Sequence, residues 1–583
     1  MSAFSQPTAL MTSVDITSTR ISDVLSRAER PSHAHLVAAS VESVLRQGLV
    51  DRVKLVVVRP NDDSTLSIGL VFDPAHATRV LDVGPSSEKA EAGAAYERLW
   101  GDKAELRRFK DGSIAHSVVW NITRPEEATL IPSRIISHLL QRHFNLDSDA
   151  ITSVTSDGTW ASIIQMPASA REAICVAGSE KLGFRPVMDA YDDLYKLLKS
   201  IDSELPLAIL SVQPASEMLR YSSTFVPHPV DIHRYSTSPD CLKYLPCAEI
   251  VLQFESSPRW PDDLAAVQKV KLAMFEKLAR VVMSHKRGTK AGIVFDAARS
   301  EIEDNASLEV LTPGGIAFRV RIYHERERTL LERVLEGEQQ TFGTALPQPP
   351  RRLAVPALEL HIRRFIHQPQ HHGALAPLHH RYPSYSSATR LLKRWFAAHM
   401  LGLLISTEVT EIIMAKVYLD PGSLSPPSSA VNGFVRALDL LASWDWKTEP
   451  LYVPLFSLNS VEAGGRVRFP EEKREEAGKM FEESLKKDAE GKHAGWKVVT
   501  EDDLTGGRWT ESVNALVAGR VKVLAKAAVE SVKEAREGLN VRVSHFSLDG
   551  TNERLMGRPC LAPQPETTTC SFISTHLWSR DTR

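Results

Sequence analysis

The chain has 583 residues, of which 43% are hydrophobic and 24% are charged, a composition typical of globular domains. Its formal net charge of −2 excludes a polycation, so any contact with nucleic acid has to come from local basic patches. Five cysteines without a CxxC pair exclude a disulfide framework and indicate a reducing compartment. The longest apolar run, residues 395–405, contains His399 and is too short to cross a bilayer, so we expect no membrane partner.

Hydrophobic periodicity divides the chain into several domains, as its length requires. We expect a mobile, Ser/Thr-rich N-terminus over residues 1–20 and an α+β domain over residues 21–175. The predicted helices of this domain are residues 21–28, 35–49, 88–100 and 131–144, and the predicted strands are residues 54–59, 66–72 and 78–83.

The segment of residues 100–120, WGDKAELRRFKDGSIAHSVVW, concentrates both signs of charge before a turn and a strand. The step Lys110-Asp111-Gly112 predicts the turn, because Asp bonds nearby backbone and Gly tolerates a positive φ. Two interpretations remain open. In the first, which the residues alone favour, the segment is a surface helix, a turn and a strand with solvated charges, because structural ion pairs are common. In the second, Arg107 and Arg108 are presented to a phosphate or carboxylate.

A second predicted domain covers residues 176–345. Its predicted helices are residues 188–201, 260–286 and 325–335, and its predicted strands are residues 205–213, 248–255, 291–295, 308–311 and 316–323. The order of helix, strand, loop, strand and long helix is that of a nucleotidyltransferase-like core of the DNA polymerase β kind.

An active core of this kind needs a Gly-Ser turn for the triphosphate and two carboxylates flanking one residue for two Mg²⁺ ions. The corresponding turn, residues 213–216, reads Gln-Pro-Ala-Ser and has no glycine. On the strand, Glu249 and Glu255 are separated by five residues. We therefore predict a degenerate core with no catalytic residue, metal or cofactor. The alternative is an active nucleotidyltransferase that draws its carboxylates from Glu249, Glu255 and Glu309.

A Pro-rich hinge over residues 341–358 is predicted to lead into a helical domain over residues 346–456. Six histidines near its start raise the possibility of zinc: His361, His367, His371, His372, His379 and His380. No cysteine or regular ligand spacing supports a metal site, so we expect solvated loop histidines. Further on, Arg390, Lys393 and Arg394 recur at helical spacing, as a solvated face or as a stripe that contacts phosphates.

The last predicted segments are a C-terminal α+β domain over residues 457–550 and a tail over residues 551–583. Residues 470–492 are highly charged and predict a solvated helix or linker, residues 513–539 a long helix, and residues 541–548 a strand. The tail loses periodicity, and we expect it to be disordered or divergent.

Several of these segments resemble the Nrap family, the nucleolar RNA-associated proteins. The segment of residues 100–120 resembles the family's sequence hallmark, and the matches extend from about residue 50 to residue 545. Further long matches are residues 205–222 (LPLAILSVQPASEMLRYS), residues 251–271 and residues 382–453.

The resemblance implies an α+β multidomain fold. A degenerate nucleotidyltransferase-like core would be followed by a helical domain like that of poly(A) polymerase and oligoadenylate synthase, in an arrangement like that of CCA-adding enzymes. Family members have two such units. The chain would start inside the first unit, with residues 21–175 as its last domain, and would be a truncated or mis-predicted form.

The resemblance also implies a function: a non-catalytic, RNA-binding scaffold of ribosome biogenesis in the nucleolus. Its partners would be pre-rRNA, a small nucleolar ribonucleoprotein and other proteins of the small-subunit processome, during 18S rRNA maturation. The candidate RNA contacts are Arg107, Arg108, Lys110, Arg390, Lys393 and Arg394. The alternatives are an enzyme that acts on RNA 3′ ends and a scaffold that docks proteins only.

Overall fold

The computed structural model describes residues 10–17, 32–62, 64–73, 76–122, 131–147, 150–153, 163–179, 183–235, 245–257, 260–336, 351–382, 384–424, 426–427, 429–456, 467–488 and 495–539. The chain divides into two compact units. Unit 1 comprises Met1–Ile163, Pro377–Leu392 and Ile412–Gly557, and unit 2 comprises Ile164–Ala376, Lys393–Glu411 and Arg558–Arg583.

The first section of unit 1 is an α+β fold. Its helices are α1 His33–Leu49, α2 Ala90–Trp100 and α3 Ile131–Phe144, and its strands are β1 Leu10–Asp15, β2 Val53–Pro60, β3 Thr65–Phe72, β4 Leu81–Ser86, β5 Glu105–Arg108, β6 Ile114–Val119 and β7 Ile151–Ser153. One sheet has the order β2-β3-β1-β7 and the other the order β4-β6-β5. Val41 of α1 and Ile68 of β3 are fully buried in one core, as their helical and alternating spacing predicts.

The expected mobile N-terminus is wrong for residues 10–15. These residues form β1, which pairs in antiparallel register with β3 from Leu10↔Leu70 to Asp15↔Thr65, and it also pairs with β7. The Ser/Thr-rich composition gave no sign of this strand, because its pairing partners on β3 lie fifty or more residues away. The predicted helix over residues 21–28 lies outside the described residues.

Unit 2 is built around a five-stranded sheet of the order β10-β11-β12-β9-β8, in which β12 and β9 are parallel. The strands are β8 Ile209–Pro214, β9 Cys247–Phe254, β10 Lys290–Phe295, β11 Ala306–Leu311 and β12 Ala317–Tyr323. The helices are α4 Ala168–Ile174, α5 Arg185–Ser200, α6 Ile232–Tyr235, α7 Leu264–His285, α8 Glu325–Glu336 and α9 Arg351–Ile362, followed by a π-helical turn at Arg363–His367.

The two faces of this sheet differ in chemistry. Alternate residues such as Ile250, Leu308 and Phe318 are fully buried in an apolar core that includes α5 and α7. The residues between them point to the other face, where Glu249, Arg319 and other ionisable side chains lie. Because side chains alternate along a strand, the pattern of residues 317–323 (AFRVRIY) already separates the two faces.

The chain continues with helices and two short strands. The helices are α10 Gln368–Arg381, α11 Tyr385–Ala398, α12 Thr407–Leu419, α13 Ala430–Ser443, α14 Glu471–Lys487 and α15 Ala515–Leu539, and the strands are β13 Leu451–Tyr452 and β14 Val498–Val499. The described helices include none that is long and apolar enough to cross a membrane.

Several local expectations need correction. The helix predicted over residues 260–286 begins at Leu264, because the Asp263 carboxylate caps it by accepting from the Ala266 N–H. The predicted hinge is helical from residue 351 onward, and Pro356 lies inside that helix. The strand expected over residues 541–548 and the tail over residues 551–583 lie outside the described residues.

The two cysteines within the described residues differ in their covalent state. Cys175 is a buried free thiol, whereas Cys247 is disulfide-bonded. A single disulfide-bonded cysteine is not a disulfide framework, and the expected reducing compartment stays a prediction.

Candidate functional site

The hallmark segment of residues 100–120 folds as a β-hairpin and not as a helix followed by a strand. Glu105–Arg108 and Ile114–Val119 pair in antiparallel register, with Arg108 opposite Ile114. The turn between them forms as predicted. The Asp111 carboxylate accepts hydrogen bonds from the Ser113 N–H at 3.0 Å and the Ser113 hydroxyl at 2.7 Å, and Gly112 has a φ of +84°.

The two tryptophans that bracket this segment anchor the hairpin in the core of unit 1. Trp100 and Trp120 are almost completely buried, with ring centroids 5.8 Å apart. The Trp120 indole N–H donates to the Asp82 carboxylate at 3.0 Å. The buried Arg52 donates to the same carboxylate at 2.8 Å and to the Arg79 carbonyl at 2.6 Å. The orientation of the hairpin therefore does not depend on the charges at its tip.

The tip of the hairpin carries exposed basic side chains: Arg107, Arg108 and Lys110. Arg107 makes a loose ion pair with Glu105, 3.3 Å between the nearest atoms, and both side chains remain about half exposed or more. Such an exposed pair contributes little to stability and leaves the guanidinium accessible to another anion. Both interpretations of this segment are thus compatible with its geometry.

The basic residues of α11 lie in different environments from those of the hairpin. Lys393 and Arg390 are buried, with 6% and 7% of their surfaces exposed, and Arg394 is half-buried. The Lys393 ammonium donates to Glu217 and Glu411, each at 2.6 Å. The Arg394 guanidinium lies 5.9 Å from the centre of the Phe225 ring. Neither a solvated face nor a phosphate-contacting stripe therefore describes Arg390 and Lys393, and this expectation is corrected.

Glu411 is the centre of a fully buried cluster in unit 2. Its carboxylate accepts from Arg220 at 2.8 Å, from the Ser222 hydroxyl at 2.6 Å and from Lys393, and His371 Nε2 lies 2.7 Å away. Burial by itself raises the pKa of Glu411, but the charges of Arg220 and Lys393 hold that pKa well below its usual range. The lowered pKa favours the ionised form of Glu411, and Arg220 and Lys393 balance its charge.

Each of the three glutamates considered for catalysis already contacts another group of the protein. Glu249 on β9 is paired with Arg321 of β12. Glu309 on β11 is completely buried and accepts from Arg319 at 2.8 Å. Glu255 is exposed beyond the end of β9, where it accepts from the Ala208 N–H at 3.2 Å. Each carboxylate has a partner that would compete with a metal ion.

A second buried cluster lies on the face of the sheet that carries Arg319 and Arg321, here called the arginine-rich face. Asp304 accepts from Arg321 at 2.9 Å, from Arg364 at 3.1 Å and from Lys271 at 3.3 Å. Lys271 also pairs with the buried Glu327. Burial raises the pKa of Asp304, but Lys271 and the two arginines outweigh it and lower that pKa to about 2. Ion pairs therefore fill the region where a two-metal site would need free carboxylates.

The turn that would hold a triphosphate is closed by the protein itself. The Ala215 N–H donates to the Glu249 carbonyl at 3.0 Å, and the buried Arg220 donates to the Ala215 carbonyl at 3.0 Å. Ser216 caps the short 3₁₀ helix that follows, since its hydroxyl accepts from the Met218 N–H at 3.2 Å. The N–H groups of Ala215 and Met218 are thus already engaged within the protein.

A pocket of about 450 Å³ lies in unit 2 beside this turn. Its walls include Gln213 of β8, Gln253 of β9, Tyr323 of β12, Phe365 and His372. The pocket therefore lies on the polar side of the sheet, between the strand ends and the start of α10.

The histidines near the start of the helical region are not solvated loop residues. They belong to α9, the π-helical turn and α10, and His361, His371 and His372 are buried. Burial, followed by Arg220, lowers the pKa of His372 to about 3. Within the described residues, no group of three or more His, Cys, Asp or Glu side chains could hold a metal ion.

The residues that sequence reasoning missed are the partners of these buried charges. Asp304, Arg321, Arg364 and Glu411 were not identified, although the alternation of arginines with apolar residues on β12 was a readable signal. The sequence carried no signal for partners on other elements, because residues such as Glu411 and Arg220 are 191 positions apart.

A mixed sheet of this order, with helices on its apolar face and further helices after it, defines a nucleotidyltransferase-like core joined to a helical domain. Residues 164–380 match the family model described as Nrap protein nucleotidyltransferase domain 4, residues 382–547 match Nrap protein PAP/OAS1-like domain 5, and residues 9–145 match Nrap protein domain 3. The chain belongs to the Nrap family.

Similar proteins carry names of the same kind. The U3 small nucleolar RNA-associated protein 22 of Schizosaccharomyces pombe is 30% identical over 470 residues, which are 80% of this chain and 39% of that protein. Nucleolar protein 6 of Mus musculus is 33% identical over 407 residues, 68% of this chain and 33% of that protein. The chain thus spans less than two fifths of the length of these curated relatives.

A solved structure, E. coli MS115-1 CdnC with ATP, aligns with 68% of this chain and 96% of that chain, with a TM-score of 0.34 and 12% identity. A likeness at this level carries no argument about function.

Proposed function

We propose that this protein is a non-catalytic, RNA-binding scaffold of ribosome biogenesis. It would act in the nucleolus, in pre-rRNA processing and 18S maturation within the small-subunit processome. The observation that carries the proposal is the succession of three Nrap domains along one chain, together with relatives named for the nucleolus and for U3 small nucleolar RNA.

The non-catalytic part of the proposal is supported by the arginine-rich face of the sheet. A two-metal mechanism needs carboxylates that are free to bind Mg²⁺. Arg321 is paired with Glu249 and Asp304, and Arg319 with Glu309. Removing these carboxylates from their buried pairs to bind a metal would leave uncompensated arginines, which is strongly unfavourable.

The RNA-binding part rests on the accessible basic residues alone. Arg107, Arg108 and Lys110 are exposed at the hairpin tip, and Arg394 is half-buried. Arg390 and Lys393 are withdrawn from the candidates, because a phosphate would have to displace buried contacts to reach them. The hairpin tip is therefore the proposed first point of phosphate contact.

Salt-dependent binding tests this contact. We would measure the affinity of the 583-residue chain for a single-stranded RNA at several salt concentrations. Each lost phosphate contact reduces the slope of log K against log salt by roughly one unit, so Arg107→Ala with Arg108→Ala should reduce it by about two. The matched control is Arg280→Ala, an arginine that is 67% exposed and ion-paired on the surface of α7. An unchanged slope in the double variant would show that the hairpin arginines are structural.

Crosslinking of the tagged protein in cells, followed by sequencing of the attached RNA, tests the biological setting. Reads on precursor rRNA and on the small nucleolar RNA that guides its processing are expected. Reads on tRNA 3′ ends would instead favour an enzyme that acts on RNA ends. Metal-dependent incorporation of labelled nucleotide that is lost in Glu255→Ala would establish that enzyme.

A protein-docking scaffold is the second candidate, and one observation favours it. Leu106 and Ile114, on the two strands of the hairpin, are 58% and 45% exposed, and exposed apolar side chains often mark protein interfaces. Loss of co-purifying proteins on Leu106→Ser, with RNA binding unchanged, would support this candidate.

A further inference from the structure

We propose that the exposed face of α15 is a docking site for an amphipathic helix of a partner protein, one that carries acidic residues beside its apolar stripe. The proposal goes beyond the proposed RNA contact and does not depend on it, since it concerns different residues from those of the hairpin tip. It adds an interaction surface and states the chemistry of the partner that fits it.

The helix α15 is apolar on two opposite sides, and only one of them is packed. Its buried side, which packs against α13, consists of Val517, Ala518, Val521, Ala525, Ala528 and Val529. On the opposite side, Leu516 is 83% exposed, Val523 is 67% exposed, and Ala527 is exposed as well. A helix that buries one face normally carries polar side chains on the other. The second apolar stripe departs from this rule, as surfaces that bind another protein do.

The exposed apolar residues have the spacing along which helices pack. Leu516, Val523 and Ala527 follow one another at intervals of seven and four residues, so they lie in one row along the helix. At a rise of about 1.5 Å per residue the row is about 16 Å long, which is roughly three helical turns. The backbone groups inside a helix are bonded within it, so an extended strand could not pair with this face. The row therefore fits the apolar stripe of another helix.

Gly519 gives a partner helix room beside this row. It lies between Leu516 and Val523, and a Cβ built on it would meet nothing within 4 Å. Glycine inside a helix is less stable than alanine, and no neighbouring atom of the protein excludes a methyl group here. The absence of a side chain at this position lets the backbone or a side chain of a second helix come close to α15.

The charges beside the row define the chemistry of the partner. Arg520 lies on one flank and Lys526 on the other, and both are exposed. Neither forms an ion pair with another described residue. Residues 515–529 contain no Asp or Glu, and the first acidic residue, Glu530, lies at the end of the row. Acidic side chains on both flanks of the partner's stripe would complement Arg520 and Lys526.

Other occupants fit this face less well. Aliphatic side chains offer an RNA strand neither an aromatic ring for stacking nor hydrogen bonds to its bases. A second copy of the chain would bring Arg520 and Lys526 against the same charges, which is unfavourable. Residues 540–583 of the chain itself contain five arginines and four acidic residues, so they do not supply acidic flanks.

Exposed positions allow the face to be altered without a change in the core. Val523→Glu places a charge in the apolar row, and Gly519→Gln fills the room beside it with a better helix former. Arg520→Glu with Lys526→Glu reverses the flanking charges. The matched control is Gly373→Gln on α10, an exposed helical glycine whose added Cβ also meets nothing within 4 Å. The urea midpoint of Gly519→Gln should not fall, so a loss of docking in this variant is not a loss of folding.

The experiment begins with site-specific crosslinking in cells. The photoreactive, apolar amino acid p-benzoylphenylalanine replaces Leu516 in the tagged 583-residue chain, and in a control chain it replaces the exposed Arg280. We expect position 516 to crosslink to a helical segment of another protein in which acidic residues flank an apolar stripe. Val523→Glu and Gly519→Gln should each lower the yield of this crosslink several-fold, and Gly373→Gln should leave it unchanged.

A synthetic peptide with the sequence of the crosslinked segment then tests the charges, with binding measured by fluorescence anisotropy. Val523→Glu should weaken binding roughly 10-fold or more, because docking would take its carboxylate out of water. Arg520→Glu with Lys526→Glu should weaken binding as well. A second peptide, in which lysines replace the flanking acidic residues, should bind this charge-reversed chain better than the parent chain.

The outcomes decide between the possible occupants. Crosslinks to an acidic-flanked helix that depend on the row, with affinity restored by the exchange of charges, support the docking site. Crosslinks to RNA, to a second copy, to the chain's own residues or to a segment without acidic flanks overturn the proposed partner. A yield at position 516 no higher than at position 280, or unchanged by Val523→Glu, overturns the docking site. The hairpin arginines are intact in every variant, so these outcomes are distinct from those of the RNA-binding test.

Discussion

At the scale of single residues, Glu411 shows how buried charge is tolerated in unit 2. Its carboxylate is completely buried, and Arg220, Ser222, His371 and Lys393 surround it within 2.8 Å. Desolvating so many ionisable groups is costly, and only their mutual contacts offset that cost. The cluster is therefore sensitive to the loss of a single member.

Glu411→Gln should destabilise the protein by about 3–5 kcal/mol, because it leaves Arg220 and Lys393 buried without their shared counter-charge. The free energy of unfolding from urea titration checks this. The control is Glu276→Gln, which removes an exposed i,i+4 partner of Arg280 and should change stability by less than about 0.5 kcal/mol. Equal effects of the two changes would contradict the central role of Glu411.

His324 should make the fold sensitive to mild acid. Its ring stacks on Trp260 at 4.0 Å between centroids, and burial, followed by Lys271, lowers its pKa to about 4. In the unfolded chain the imidazole takes up its proton near pH 6.5. The unfolded state thus binds more protons between pH 6.5 and 4, and stability falls as pH is lowered through that window.

The measurement is the free energy of unfolding between pH 7 and pH 4 for the parent and for His324→Gln. The slope of the unfolding free energy against pH should be smaller in the variant by the contribution of one proton, about 1.4 kcal/mol per pH unit. Parallel curves for the two proteins would show that His324 does not cause the acid sensitivity.

At the scale of elements, the β5–β6 hairpin is held in place by residues at its base and exposes different residues at its tip. Trp100, Trp120 and the Asp82 carboxylate hold its base within unit 1. Its tip carries the exposed arginines and a turn that requires a positive φ at Gly112. Changes at the tip should therefore alter the presented surface without removing the core contacts of the base.

Gly112→Ala should cost about 1 kcal/mol of stability. An added Cβ meets nothing within 4 Å, so the cost is that of the left-handed backbone alone. Gly519→Ala in α15 is a matched control in the same unit, with equal free space and a helical backbone, and should stabilise by roughly 0.5–1 kcal/mol. Urea midpoints of the two variants should thus move in opposite directions, and a common direction would contradict the argument from φ.

At the scale of the whole molecule, the chain carries three successive Nrap domains but spans less than two fifths of its curated relatives. A scaffold acts through surfaces that hold several partners together, and a shorter chain retains those surfaces that lie within its own domains. The hairpin tip is one such surface for the proposed role.

We expect the tagged chain to co-sediment with large particles that contain precursor rRNA. Arg107→Ala with Arg108→Ala should lower the recovered precursor rRNA several-fold, because phosphate contacts supply much of RNA affinity. Arg280→Ala should leave the recovery unchanged. Sedimentation of the parent chain only in light fractions would contradict the proposed role of this chain in the particle.

Prediction from sequence succeeded where the information was local. Residues 131–144 were expected as a helix, and α3 has those bounds, because apolar residues recur at helical spacing and nothing distant decides the backbone. The turn at Gly112 formed as predicted for the same reason. Strand β1 was missed, since a short polar strand is stabilised by its partners and not by its own residues.

The sequence by itself determined the order of domains, the family and the absence of a Gly-Ser turn at residues 213–216, because each is a matter of which residues follow one another. Only the tertiary structure decided what the charges do. Lys393 looked like a surface lysine of an amphipathic helix, yet it is buried between Glu217 and Glu411, 176 and 18 residues away. Whether an ionisable side chain faces water or a counter-charge depends on where distant segments meet, and helical spacing carries no information about that meeting.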